Sequence, residues 1–212
     1  LSSGTAAPSG ATDKPLYIHD LSAASFVGSP NVKSMTFWLR TAADDPSLNV
    51  LDYQTIFHAS TKNVGGDKNL KLQLRNENSN DDRLAAQDDN ASSQLAAISV
   101  NEVARGLANF TQTNSYQLET PLTKAEIAGK WNFFYVEFTD GYYPNTISWM
   151  ANKAATRAGV TGNSMRGALL DEVHYFGSAL TASEVTAMRM FRTSQLKSNG
   201  KELPAVKSMF EQ

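Results

Sequence analysis

The sequence repeatedly alternates large apolar side chains with polar or small ones. The alternation is clearest over residues 34–41 (SMTFWLRT), and it recurs over residues 70–75 (LKLQLR) and 131–138 (WNFFYVEF). A period of two is that of a β-strand, whose successive side chains point to opposite faces of a sheet. Short strands of this kind, separated by polar loops, predict a two-sheet β-sandwich rather than alternating β–α–β units.

A further extended segment, residues 169–176 (LLDEVHYF), is partly apolar on both faces. Strict alternation places Asp171 and Val173 on one face, and it places Glu172 and His174 on the other. Because neither face is wholly polar, the segment is predicted to be an interior strand of the packed sheets.

Two segments carry the sequence signature of a helix start. In the first, Thr181 precedes Glu184 by three residues, which is the spacing of the S/T-x-x-E capping box. In the second, Thr123 precedes Glu126 by the same spacing. In that box the Thr hydroxyl and the Glu carboxylate satisfy backbone N–H groups at the helix end. A short helix is predicted at the first segment and a short helical turn at the second.

The motif LDEV at residues 170–173, followed by ALTASEV at residues 179–185, resembles the closing signature of laminin-G-like, concanavalin A-like jelly-roll domains. In those families an I-D-E-V-x-I-Y strand leads into an x-L-S-x-x-E-I helix start. Segments that resemble further strands of the family are residues 34–41, 53–59, 70–75, 131–138 and 146–150. The resemblance implies an all-β fold, a two-sheet antiparallel jelly-roll sandwich of concanavalin A-like type with one or two short helices.

The chain divides into three predicted parts. Residues 1–14 (LSSGTAAPSGATDK) are rich in Ser, Gly, Ala and Pro, and they are predicted to be a flexible leader or an interdomain linker. Residues 15–193 are predicted to form the jelly-roll domain, and residues 194–212 a C-terminal tail packed on it. A linker at the start would make the domain one module of a larger multidomain protein.

Composition narrows the possible partners. The chain has 212 residues, a formal net charge of −2 and no cysteine. So small a charge gives no basic field for nucleic acid, and no apolar run is long enough for membrane insertion. The lack of cysteine excludes disulfides and thiolate chemistry. The resemblance implies a secreted or cell-surface location.

The acidic residues do not match the pattern of a glycosidase. Glycoside hydrolases that share this fold carry paired carboxylates two to four residues apart on one strand, and no such set occurs here. Asp171 and Glu172 are adjacent, so in a regular strand they point to opposite faces. Glu172 and His174 share a face, and they form either an acid–base pair or an ordinary structural pair. A polysaccharide hydrolase or lyase is therefore an alternative function.

The resemblance also implies a calcium ion at the rim of the sandwich, where related domains often hold one. Ca²⁺ takes six to eight oxygen ligands, which flexible loops can gather. Residues 76–93 are polar and acidic, and they are predicted to form a surface hairpin or a long loop. The candidate metal ligands are Asp140, Asp171, Asp81, Asp82, Asp88 and Asp89. The alternative is that these residues are ordinary solvated acids.

A glycan site needs an aromatic face for the apolar side of a pyranose and polar groups for its hydroxyls. Tyr142 and Tyr143 lie in a predicted turn next to Asn145 and supply both. Trp38 and Arg40 share a strand face and would line a concave sheet. The alternative for Trp38 is a place in the core, because aromatic residues dominate sandwich cores.

The resemblance implies a non-catalytic recognition module of a secreted or surface protein. Its expected partner is a glycan or another cell-surface ligand, with a role in adhesion. Two alternatives stay open, a polysaccharide-degrading enzyme and a structural or protein-binding spacer in a larger surface assembly. Because the resemblance concerns the fold, it is a weaker guide to activity than the site residues are.

Overall fold

The computed structural model describes residues 17–21, 31–41, 53–61, 68–76, 82–88, 94–106, 108–112, 115–122, 124–150 and 168–196. Within these ranges the chain is mostly β, which confirms the predicted all-β class. The elements are β1 (Tyr17–Asp20), β2 (Ser34–Arg40), β3 (Tyr53–Thr61), β4 (Lys68–Asn76), β5 (Asp82–Asp88), β6 (Leu95–Val100), β7 (Val103–Ala104), β8 (Ala108–Gln112), β9 (Ser115–Pro121), α1 (Lys124–Ile127), β10 (Trp131–Phe138), β11 (Thr146–Trp149), β12 (Leu169–Phe176) and α2 (Ala182–Leu196).

The described strands form two antiparallel sheets, as predicted. The larger sheet has seven strands in the order β1-β11-β3-β4-β5-β9-β8, and the smaller has five in the order β12-β2-β10-β6-β7. The chain passes repeatedly from one sheet to the other. Strands β1, β3 and β11 lie in the larger sheet, and β2, β10 and β12 lie in the smaller. Strands that are distant in sequence therefore become neighbours.

The inner faces of the two sheets share one aromatic core. Phe37 on β2 stacks on Phe134 of the neighbouring β10, with ring centroids 4.9 Å apart. Across the sandwich the same ring meets Trp149 at 5.0 Å and Phe57 at 6.3 Å, both edge-on and both from the larger sheet. All four side chains are fully buried. The apolar residues of the alternating segments thus pack together between the two sheets.

The helical turn predicted before residues 131–138 is α1, and hydrogen bonds tie it to the end of β2. The Thr41 hydroxyl donates to the Ile127 carbonyl at 3.1 Å, and the Gly129 N–H donates to the Thr41 carbonyl at 3.1 Å. Buried Asn132 also donates to the Ile127 carbonyl, at 3.0 Å. Gly129 has a φ of 67°, which glycine adopts without steric cost. These bonds fix the entry into β10.

β12 contains a β-bulge that the sequence pattern does not reveal. Asp171 lies opposite Trp38 on β2, and His174 lies opposite Thr36. Three steps along β12 therefore match two steps along β2, which is one extra residue. Glu172, within the bulge, has a φ of 46°, a value uncommon outside glycine. Its backbone N–H donates to Asp171 Oδ1 at 2.9 Å, which stabilises the bulge.

The bulge changes which side chains of β12 face the core. Val173 and Tyr175 pack against the core, whereas His174 is exposed. The predicted assignment of faces is therefore wrong beyond Asp171, because the extra residue reverses the alternation. Among the described strands β12 pairs with β2, and the interior position of this strand stays a prediction.

A second compact unit begins at Leu180, and its described part contains α2. The predicted capping box is present at its start. The Thr181 N–H donates to Glu184 Oε2 at 2.8 Å, and the Glu184 N–H donates to the Thr181 hydroxyl at 3.3 Å. The bond from the Thr181 N–H, and then a bond that the Thr181 hydroxyl donates to Glu184 Oε2 at 2.8 Å, lower the pKa of Glu184. Residues 1–14 and most of the predicted C-terminal tail lie outside the described residues.

Candidate functional site

The predicted tyrosine pair is split between the core and the surface. Tyr142 is 1% exposed, its ring centroid lies 5.7 Å from that of Phe138, and its hydroxyl donates to the Ala59 carbonyl at 3.1 Å. A ring so enclosed cannot stack on a saccharide, so the predicted ligand contact of Tyr142 is wrong. Tyr143 is half-buried and keeps an accessible part.

Asn145 has a structural role through its backbone. Its N–H donates to the Ser60 carbonyl at 2.8 Å, and its carbonyl accepts from the Leu21 N–H at 2.6 Å. These two bonds extend the pairing at the start of β11 towards β3 and β1. They leave Asn145 next to Tyr143 at the rim of the larger sheet.

Trp38 and Arg40 lie on the outward face of the smaller sheet. Trp38 is 7% exposed and packs on Phe133, with ring centroids 5.2 Å apart. Its ring is therefore enclosed, which agrees with the core alternative better than with a platform for sugar, although it lies on the face away from the main core. Arg40 is exposed and donates from Nε to the Gly129 carbonyl at 3.0 Å. The two residues do not form one open aromatic and cationic surface.

Asp140 is paired with a lysine. Lys33 Nζ lies 2.7 Å from Asp140 Oδ1, donates to the Phe138 carbonyl at 2.5 Å and lies 3.8 Å from Glu137 Oε1. The hydrogen bond from Lys33, and then its positive charge, lower the pKa of Asp140 below the ordinary value of 3.8. The Lys33 ammonium group thus already balances the negative charge of this carboxylate, as a bound calcium ion would.

The other predicted metal ligands that the structure describes do not lie together. Asp82 and Asp88 begin and end β5, so their backbones are about 20 Å apart by the rise of an extended strand. Asp171 accepts a hydrogen bond within the bulge. In the part of the chain that the structure describes, no three His, Cys, Asp or Glu side chains cluster for a metal. Asp81 and Asp89 lie outside that part, and calcium near them stays a prediction.

The Lys33–Asp140 pair predicts a pH-dependent contribution to stability. Because the folded-state pKa of Asp140 is lowered, the contribution is present at pH values above 3.8 and is lost as the pH falls through the lower folded value. Asp140→Asn should therefore lower the melting temperature slightly at pH 7 and leave it unchanged near pH 2. Thermal melts of both proteins across this range measure the difference. A deficit that persists at the acidic end would contradict the prediction.

A different set of polar side chains gathers on the larger sheet. Phe57 and Ala59 on β3, and Leu70 and Leu72 on β4, point into the core, so the residues between them point outward. Ser148 on β11, His58 on β3 and Lys71 on β4 lie opposite one another in register, and Thr55 lies opposite Gln73. The outward side chains of this set are called the polar row: Thr55, His58, Lys71, Gln73 and Ser148.

The polar row is enclosed although it faces away from the core. Ser148 is 1% exposed, Gln73 6% and His58 7%. Gln73 Nε2 donates to the Thr55 hydroxyl at 3.1 Å, but Gln73 Oε1 and Ser148 Oγ have no hydrogen-bond partner among the described residues. Buried polar atoms without partners cost about 1–3 kcal/mol each and are uncommon. They mark the polar row as a place where a polar ligand would restore lost hydrogen bonds.

The outward positions of the polar row could be predicted in part from the sequence. In YQTIFHA and LKLQLR, the alternation that sends the apolar residues inward also sends His58, Lys71 and Gln73 outward. Polar residues at outward positions are ordinary, however, and only their burial distinguishes them. Ser148 carried no signal of its own, because serine is common at either face of a strand.

Comparisons with known proteins return no match, whether against protein-family models, curated proteins or solved structures. No helix among the described residues is long and apolar enough to cross a membrane. Function is therefore inferred from the residues of this chain alone.

Proposed function

We propose that the chain is a non-catalytic recognition module that binds a glycan through the polar row. The observation that carries this proposal is the pair of buried polar atoms, Ser148 Oγ and Gln73 Oε1, that lack hydrogen-bond partners among the described residues. A glycan presents many hydroxyl groups, each of which both donates and accepts a hydrogen bond. It can therefore satisfy an amide oxygen and a serine hydroxyl at the same time.

His58, Gln73 and Ser148 are all at least nine-tenths buried, so a glycan contacts them only if the residues that cover the outer face of the larger sheet move aside. Lys71 is half-buried and keeps an accessible part. The row also contains imidazole and ammonium groups, from His58 and Lys71, that can contact ring and hydroxyl oxygens. Tyr143 and Asn145, at the rim beyond β11, are proposed to extend the contact surface.

The fold we propose is a concanavalin A-like jelly roll. The repeated passage of the chain between two antiparallel sheets supports it, since jelly rolls place consecutive segments in opposite sheets. The LDEV and ALTASEV motifs, which resemble laminin-G-like domains, support it as well. In this proposal the chain is a module of a larger, secreted or surface-exposed adhesive protein.

Catalysis by Glu172 and His174 has less support. The bulge in β12 removes the regular alternation that would have given them a common face, and Glu172 is the bulged residue itself. An enzyme would need an acid and a base held in one geometry around the scissile bond. Recognition without turnover requires only the polar row.

Ser148→Ala tests the proposal because it should weaken glycan binding without lowering stability. Loss of the hydroxyl should weaken glycan binding about two- to tenfold, the value of one neutral hydrogen bond. The melting temperature should stay constant or rise, because the variant removes a buried hydroxyl that lacks a partner. A glycan array identifies the ligand, and calorimetric titration measures its affinity.

Thr36→Val is the matched control. Thr36 Oγ1 is also buried and without a partner among the described residues, but it lies on the smaller sheet. This variant should likewise keep or raise the melting temperature, and it should bind glycan as the original protein does. Failure of the original protein to bind any arrayed glycan would overturn the proposal, as would equal losses of affinity in both variants.

A further inference from the structure

We infer that Asp140 and Gly141 form a site of spontaneous isoaspartate formation, and that the Lys33 ammonium group slows the reaction. Asp140–Gly141 is the one Asp-Gly dipeptide in the sequence. In this reaction the amide nitrogen of the following residue attacks the aspartate side chain, so exposure of the carboxyl group and a small following residue both favour it. The inference concerns the connection between β10 and β11, and it does not depend on a ligand of the polar row.

Asp140 and Gly141 are the two central residues of a tight turn. The Tyr142 N–H donates to the Thr139 carbonyl at 3.0 Å, and Gly141 has a φ of 79°. A positive φ at the third position is typical of a type II turn, which favours glycine there. The Asp140 side chain is 95% exposed, and no atom of the described residues lies within 4 Å of the place where a Gly141 Cβ would stand. Packing by the described residues therefore does not prevent the two groups from meeting.

The reaction needs no reactant other than water. A bond forms between the Gly141 nitrogen and Asp140 Cγ, while a Cγ–O bond breaks and the hydroxyl leaves with the amide proton as water. The product is a five-membered succinimide ring. Water then adds to one of the two ring carbonyls. Opening of the new N–Cγ bond restores aspartate, whereas opening of the original peptide bond leaves the chain linked through the side chain, as isoaspartate of unchanged mass.

Lys33 opposes the first step because it keeps the Asp140 carboxyl group ionised. Its Nζ lies 2.7 Å from Asp140 Oδ1, donates to the Phe138 carbonyl at 2.5 Å and lies 3.8 Å from Glu137 Oε1. The hydrogen bond from Lys33, and then its positive charge, lower the pKa of Asp140. A carboxylic acid can lose its hydroxyl as water, whereas a carboxylate has no such leaving group. A smaller protonated fraction therefore means slower ring closure.

The experiment compares the original protein with Lys33→Met, which removes the ammonium group and keeps most of the stem. Both are aged at pH 6 and digested with trypsin, which releases residues 131–153 as one peptide. Isoaspartate in that peptide is recognised by a changed retention time at unchanged mass and by labelling with an isoaspartyl methyltransferase. It should form about two- to fivefold faster in Lys33→Met, the factor that the strength of an exposed ion pair supplies.

Three controls accompany the comparison. Lys33→Arg keeps the positive charge and should react close to the original rate. Asp140→Glu should give no product, because its longer side chain would have to close a six-membered ring, which forms far more slowly. Deamidation at Asn199–Gly200 passes through the same kind of ring and changes the mass, so it serves as an internal clock in every sample. Thermal melts confirm that each variant is folded during ageing, so that a faster rate does not report unfolding.

Equal rates in the original protein and in Lys33→Met at pH 6 would overturn the inference. Absence of isoaspartate at Asp140 from both, while Asn199 deamidates, would overturn it as well. The excess rate of Lys33→Met should also disappear as the pH falls well below 3.8, because Asp140 is then protonated in both proteins. An excess that persists there would show that Lys33 does not act through the ionisation of this carboxyl group, and would overturn the role assigned to it.

Discussion

Phe37→Ala is expected to lower the free energy of unfolding by about 3–5 kcal/mol, the usual cost of truncating a buried aromatic side chain. Phe37 is fully buried, and its ring contacts one neighbour in its own sheet and two in the opposite sheet. Truncation therefore leaves a cavity at the interface between the sheets. Because two rigid sheets close such a cavity poorly, the loss should lie well above that of an average substitution.

Denaturant unfolding at equilibrium measures this loss as a lower midpoint with an unchanged slope. Phe37→Leu is the first control, since it keeps most of the apolar volume and should lose much less stability. Val103→Ala is the second, because Val103 is 55% exposed and should change stability by no more than about 0.5 kcal/mol. A loss below about 1 kcal/mol in Phe37→Ala would show that the two sheets do not share this core.

Strands with regular alternation were predictable because burial leaves a period of two in the sequence. β2, β4 and β10 lie where the pattern predicts them, and their apolar residues form the core. The helix starts were predictable for a different reason. A capping box acts over three residues, so the interaction between Thr181 and Glu184 depends on local geometry alone.

Features that depend on partner strands were not predictable. β5 lies in an acidic stretch for which the sequence predicts a surface hairpin or a long loop, and its antiparallel pairing with β4 agrees with the hairpin. The pairing of β5 with β9 on its other side was not predicted. The bulge in β12 is an extra residue that only the register against β2 reveals. In both cases hydrogen bonds to distant segments decide the local structure, and those segments are not visible in a short window of sequence.

The site was harder to predict than the fold, because ligand sites depend on exposure rather than on period. The sequence predicted a site at aromatic residues beside polar or charged ones, but Trp38 and Tyr142 are enclosed in the folded chain. The polar row consists of common residue types at ordinary outward positions. Its distinguishing property, burial with unused hydrogen-bonding atoms, belongs to the folded chain.

The bulge in β12 gives Asp171 and Glu172 a structural role. Asp171 Oδ1 accepts a hydrogen bond from the Glu172 N–H, and Glu172 has the positive φ that the bulge requires. The regular alternation that would have placed Glu172 and His174 on a common face is thereby lost.

Tyr142→Ala is the second substitution with a large expected effect, about 3–5 kcal/mol of lost stability for a buried aromatic ring. Tyr142→Phe should cost only about 0.5–1.5 kcal/mol, because it keeps the ring and loses the hydrogen bond to the Ala59 carbonyl. The neighbouring Tyr143 is half-buried, so Tyr143→Ala should lose much less stability than Tyr142→Ala. Equilibrium unfolding of the three variants measures these differences.

Glycan titration of the same variants separates a core role from a ligand-contact role. Because the Tyr142 ring is enclosed, Tyr142→Phe should bind with unchanged affinity, and so should the folded fraction of Tyr142→Ala. Tyr143→Ala should weaken binding if the contact surface extends to the rim as proposed. A loss of affinity in Tyr142→Phe without loss of stability would instead return Tyr142 to the binding site. Stability and affinity must therefore be measured together, since a loss of folded protein lowers apparent binding without any change at the site.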